Sequence, residues 1–129
     1  MNVRHINPGG LHRAGAFSQA VVVEHPTKTI WIGGQSDADA VSGFAGRTIG
    51  EQTVRTLRTI ATVLEAEDAT LANVVHWTVA IVEGNRADEC LAAFRQVWDP
   101  ADPPPAVTVH FVAGLGPDQV VQIGAVAVV

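Results

Sequence analysis

Two stretches of this chain constrain its fold more than any others. Residues 73–82 read NVVHWTVAIV and residues 119–129 read QVVQIGAVAVV. Successive side chains on a strand point to opposite faces, and both stretches carry apolar residues on both parities. Strands of that kind call for burial on both faces. A layer of helices covers one face. The other is left for a second copy of the chain, because large bare apolar patches mark interfaces. A closed homo-oligomer is the economical inference.

Two helical segments supply the first cover. Between Ile49 and Glu67, Val54, Leu57, Ala61 and Leu64 recur at steps of three and four and share one face. From Arg86 to Trp98, a second stripe holds Cys90, Leu91, Phe94, Val97 and Trp98. Strands are expected at 18–24 (SQAVVVE), 29–34 (TIWIGG), 73–82, 106–113 and 119–128. His25-Pro26-Thr27-Lys28 reads as a turn that joins the first two into a hairpin. Residues 1–15, with Pro8, Gly9, Gly10 and Gly15, read as an irregular arm, and residues 35–47 as a polar loop. Pro100 and the run Pro103-Pro104-Pro105 impose a stiff, extended connection after the second helix. The order is ββαβαββ. It describes one α/β (α+β) domain over residues 1–129, a mixed sheet with two helices on one face.

Composition removes several function classes. With 8 basic and 13 acidic residues the net charge is -5, and there is no run of Lys or Arg, so a nucleic-acid footprint is lacking. The longest apolar runs fall far short of the roughly 20 residues of a spanning helix, so no membrane partner is expected. The first residues, MNVRHINPGG, contain no apolar signal core. The expected location is cytoplasmic. Cys90 is the one cysteine, which rules out an intrachain disulfide and a thiolate zinc cluster. Hydrophobic residues at 47% leave enough for a core and for an interface.

Four short motifs then fall in register. Gly15-Ala16-Phe17-Ser18-Gln19-Ala20 resembles the G-P-Y-S-Q-A segment of the Rid (YjgF-like, reactive-intermediate deaminase) family. Ile32-Gly33-Gly34-Gln35 resembles its V-S-G-Q, and Pro104-Pro105-Ala106-Val107-Thr108 its P-P-A-R-S. Leu115 to Ala127 tracks its L-P-x-D-x-x-x-E-I-E-A-I-A ending. The resemblance implies a chorismate-mutase-like fold and a homotrimer with pockets between subunits. It also implies hydrolysis of 2-imino acids to 2-oxo acids and ammonia, with an arginine gripping the carboxylate and a glutamate positioning water.

The residues that carry this chemistry are replaced here. The arginine position is Val107, which has no donors and removes the bidentate, charge-assisted grip. The cysteine position is Val109. The water-positioning glutamate is Gln122, which hydrogen-bonds but does not exchange a proton near neutral pH. The second glutamate is Gly124, the pocket tyrosine Phe17, the strand serine Gly33 and the helix asparagine Leu91. Every change makes the implied pocket more apolar. The expected ligand is therefore a small, relatively apolar imine, enamine or carbonyl-type metabolite, and the usual 2-imino acid deaminase activity is expected to be lost or weak. A non-catalytic binding or regulatory trimer is the alternative, and a weak 2-iminobutanoate/2-iminopropanoate deaminase a further one.

The remaining candidates are few. His12 and Arg13 precede the first motif and either supply a base and an anion site at the pocket mouth or form a solvated arm. With Gln122 they are the catalytic candidates. His5, His25, His76 and His110 show no metal-ligand spacing, so no metal is expected. Val107, Val109 and Phe111 share a strand face, as a pocket wall or as core. Gly33-Gly34 lacks the following Lys and Ser/Thr of a phosphate loop, and no cofactor is expected. Trp31, Trp77 and Trp98 read as core or interface aromatics.

Overall fold

The computed structural model describes residues 1–12, 15–37 and 47–129. Its elements in chain order are β1 (Asn2–Ile6), β2 (Ala20–Glu24), β3 (Thr29–Gln35), α1 (Ile49–Glu65), β4 (Val74–Val82), α2 (Ala87–Val97), β5 (Ala106–Val112) and β6 (Val121–Val128), with one 3-10 turn at Leu71–Asn73. From β2 onward this is the expected ββαβαββ order. β3, β6, β4 and β5 form a four-stranded sheet in that order, and both helices pack on one face of it. The β4–β5 pair is parallel and the other two pairs are antiparallel, so the sheet is mixed.

The expected hairpin between the first two strands does not form. β2 pairs with the amino-terminal residues, from Asn2 opposite Glu24 to Ile6 opposite Ala20, so part of the expected arm is a strand. β3 pairs instead with β6, where Trp31 faces Val126 and Ile32 faces Ala125. The turn explains the switch. The amides of Thr27 and Lys28 both donate to the Val129 carbonyl, and the Val129 amide donates to that of Lys28. These bonds bring the chain onto the carboxy-terminal strand before it can fold back on β2.

The core lies between the sheet and the helices. β4 contributes Trp77, Val79 and Ile81, β6 contributes Val121, Ile123, Ala125 and Ala127, and α1 contributes Leu57, Ile60 and Leu64. The buried face of α1 is rotated from the expected one. Gln52, Thr53 and Thr56 are buried, while Val54 and Ala61 are half-buried. Hydroxyls satisfied inside the helix make this possible. Thr53 Oγ1 donates to the Ile49 carbonyl and Thr56 Oγ1 to that of Gln52, each at 2.7 Å. Gln52 itself donates to the Asp118 carbonyl and accepts from the Val120 amide, fastening α1 to the loop before β6. Thr48 and Glu51 close a reciprocal capping box at the helix start.

Burial of β4 on both faces is not met within one chain. Its alternate residues His76, Thr78, Ala80 and Val82 lie on the face away from the helices, and Thr78 is exposed. On the same face Trp31 of β3 is 79% exposed. His76 Nε2 lies 3.0 Å from Thr108 Oγ1 across the β4–β5 pair. Among the described residues no helix is long and apolar enough to cross a membrane.

Candidate functional site

The second helix and the proline connection frame a cavity of about 370 Å³, within the usual range for small-molecule sites. Helical spacing places Leu91, Phe94, Arg95 and Trp98 along one flank of α2 and its end. Trp77 of β4 and Val107 of β5 close the sheet side; their Cα atoms are register partners. The Trp77 and Phe94 rings meet edge to face, 5.4 Å apart at 78°, a favourable aromatic geometry. Pro100, Asp102, Pro104 and Pro105 supply a third wall, and Gly15 and Ala16 a fourth. The lining residues are mostly apolar, with Arg95 and Asp102 as the charged ones.

The proline wall is pinned from the amino-terminal sheet. Ser18 is 2% exposed, its hydroxyl donates to the Pro104 carbonyl, and its amide donates to the Pro105 carbonyl at 3.0 Å. His5 Nδ1 reaches the same Pro104 oxygen at 2.9 Å. At the other end, Trp98 Nε1 donates to the Asp102 carbonyl at 3.3 Å. Stiff prolines held at both ends keep the cavity open rather than letting the wall collapse onto α2.

The expected site residues divide into two groups. Val107 and Leu91 line the cavity together, beside the start of the first motif. Phe17 is half-buried and adjoins the lining residue Ala16, but does not itself line the cavity. Val109 lies one step further along the same face of β5 as Val107 and is 39% exposed; Phe111 follows at 53%. Both are exposed on the edge strand β5, and neither belongs to the core.

Gln122 and Gly33 lie elsewhere. Gln122 pairs with Ala80 on the face away from the helices, opposite to Val107. A Cβ at Gly34 would come within 2.5 Å of its side chain, so Gln122 lies over the bulge in β3. Gly124 also adjoins that bulge, since a Cβ there would stand 3.2 Å from the Ile32 carbonyl oxygen. Gly33 is on β3, the edge strand opposite β5. Three strand spacings put it about 14 Å from Val107. One copy of the chain therefore does not bring Gln122 or Gly33 into the cavity. His12 is exposed and outside the lining; its carbonyl accepts from Gln19 Nε2. Arg13 lies outside the described residues.

Sequence reasoning missed Arg95, Asp102 and the pinning pair Ser18 and His5. Arg95 was within reach, because it stands four residues after Leu91 and shares its flank. Among the described residues no group of three or more His, Cys, Asp or Glu comes together to hold a metal ion. Burial pushes the Cys90 thiol above its ordinary pKa, and a hydrogen bond from Thr53 opposes this in part. It is a protonated packing group rather than a nucleophile.

Comparison with known proteins accounts for this arrangement. No curated protein matches the sequence. Among solved structures, a Rid-family protein of unknown function, YyfB from Yersinia pestis, is 27% identical, with a TM-score of 0.78 and 100% of both chains covered. RidA from an Antarctic Psychrobacter is 24% identical, with a TM-score of 0.70 over 98% of this chain and 99% of its own. A YjgF-family member from Mycobacterium tuberculosis is 24% identical, with a TM-score of 0.67 over 99% and 100%. The family model described as endoribonuclease L-PSP matches residues 10–129, nearly the whole sequence. The helix-roofed mixed sheet and the motif spacing thus have one source: the chain belongs to the endoribonuclease L-PSP family, which is the Rid (YjgF-like) family.

Proposed function

We propose that this chain takes up a small, relatively apolar imine, enamine or carbonyl-type metabolite in the cavity beside Val107. The observation that carries this reading is the position of Val107. It stands in the cavity wall with Trp77 and Leu91, and it offers no donor where the resembling family has its arginine. An arginine–carboxylate contact is worth roughly 1.5–3 kcal/mol per hydrogen bond, and a valine forfeits all of it. The usual deaminase activity on 2-imino acids is therefore lost or weak.

The non-catalytic alternative gains from a specific observation. Of the three catalytic candidates, neither His12 nor Gln122 lines the cavity, which leaves Asp102 as the only lining carboxylate or imidazole among the described residues. A trimeric binder or regulator needs no proton-transfer group there. In either form the proposed assembly is a homotrimer. The bare sheet face with Trp31 supports it, as does the exposed β5 edge with Phe111. A neighbouring copy is also the route by which Gln122 or Gly33 would approach a cavity. With a net charge of -5 and no basic run, RNA is not favoured as a substrate.

A thermal-shift screen of apolar carbonyl, imine and enamine compounds, with and without an anionic group, tests the reading. Hits are expected for the native chain and not for Leu91→Trp, which fills the cavity. A hit recovered chemically altered identifies an enzyme, and an unaltered one a binder. Hits that survive Leu91→Trp would place the ligand elsewhere and overturn the proposal.

A further inference from the structure

The charge of this cavity is on the helix, not on the strand. Arg95 lines it from the last turn of α2, beside Phe94 and one turn beyond Leu91. It is an exposed residue of the lining, which puts it on the solvent side of the cavity. Among the described residues it has no hydrogen-bond or ion-pair partner, and Asp102, which lines the same cavity, does not pair with it. The interior walls behind it are aromatic and aliphatic: Trp77, Phe94, Trp98 and Val107.

We propose that Arg95 is the anion-recognition group of this cavity. Its ligand is then an aryl or similarly flat apolar compound bearing one carboxylate, sulfonate or phosphate. This rests on the reading of the cavity as a ligand site and narrows it: the body of the ligand stays apolar at the Val107 wall, and its one anionic group lies at Arg95 instead. A guanidinium presents five donors in a planar fork that fits such oxygens. Aromatic walls take a flat body. The apolar body points inward toward Trp77 and Val107, and the anion stays at the rim where its desolvation is smallest. Asp102 disfavours a second anionic group by like-charge repulsion. The competing role for Arg95 is to complement the carbonyl end of α2, which would affect stability and not ligand choice.

Two fluorescent probes with the same ring system separate these roles: anilinonaphthalene sulfonate, which is anionic, and N-phenyl-1-naphthylamine, which is neutral. Each is titrated against the native chain, Arg95→Gln, Arg95→Lys and Leu91→Trp. The native chain is expected to prefer the anionic probe. Arg95→Gln should weaken that probe about tenfold, the loss of one charge-assisted contact, and leave the neutral probe unchanged. Arg95→Lys should recover part of the preference, and high salt should reduce it. If Arg95→Gln leaves the preference intact while Leu91→Trp abolishes both probes, the cavity is a ligand site and the role of Arg95 is overturned. If Leu91→Trp affects neither probe, the cavity reading itself has failed. A lower melting temperature for Arg95→Gln with the preference retained assigns Arg95 to the helix end alone.

Discussion

At the scale of single residues, the proposed function rests on Val107. It faces Trp77 and Leu91, and replacing it with arginine restores a donor fork to the cavity wall. Val107→Arg is expected to add measurable affinity for simple 2-oxo carboxylates, read by calorimetric titration against the native chain. Adding Gln122→Glu in the same copy should contribute nothing to that contact within a protomer, because Gln122 is on the other face of the sheet. Cys90 makes a second residue-scale prediction. It is 1% exposed, and its pKa in the folded chain is raised by burial. A raised thiol pKa contributes stability that is present below the unfolded value and lost as the pH rises through the folded one. Alkylation by iodoacetamide should therefore be slow in the native chain and fast on unfolding, and the melting temperature should fall at alkaline pH less steeply in Cys90→Ala. Val107 was legible because a motif names its position, and Leu91 because it falls on the α2 stripe where the resembling family has a helix asparagine. Arg95 and Asp102 were not, since no motif names them and the stripe on α2 was read only for its apolar members.

Elements were legible where periodicity speaks and illegible where pairing does. Both helices, β4, β5 and β6 lie within a few residues of their expected bounds. The failed hairpin has a general cause: adjacent strands usually pair, and alternation within a strand says nothing about its neighbour. Only the bonds from Thr27 and Lys28 to Val129 decide between β2 and β6. The rotated face of α1 has a chemical cause. Thr53 and Thr56 look polar in sequence, yet bond their own helix and pass as small apolar groups. Gln52 is the exception, since it serves two backbone groups of another segment. Gln52→Ala is expected to destabilise the fold by roughly 2–3 kcal/mol in urea melts, by stranding a buried amide and a carbonyl. Thr48→Ala, which removes the cap of α1, should destabilise by about 1 kcal/mol. Equal effects would mean that Gln52 does not fasten the loop.

For the whole molecule, the two-sided apolar strands and the bare face on β3, β4 and β6 carry the same message. The sequence requires cover that a single chain does not contain. Trp31 stands 79% exposed on the edge strand β3 of that face, and a subunit contact there would cover it. Native mass spectrometry should give a trimer, and Trp31→Glu a monomer or a weakened assembly that keeps its circular dichroism. A stable native monomer would contradict the interface argument. The fold was legible because four motifs held their spacing over the chain. The geometry of the site was not, because it depends on which face of a strand each residue occupies and, in the proposed trimer, on neighbouring copies.

The central claim is that the family's fold is kept here while its usual chemistry is not. It is tested most directly by offering the native chain 2-imino acids, produced in place by an amino-acid oxidase, and following ammonia release. The account predicts a rate no greater than that of buffer alone. Clear acceleration over buffer would contradict it.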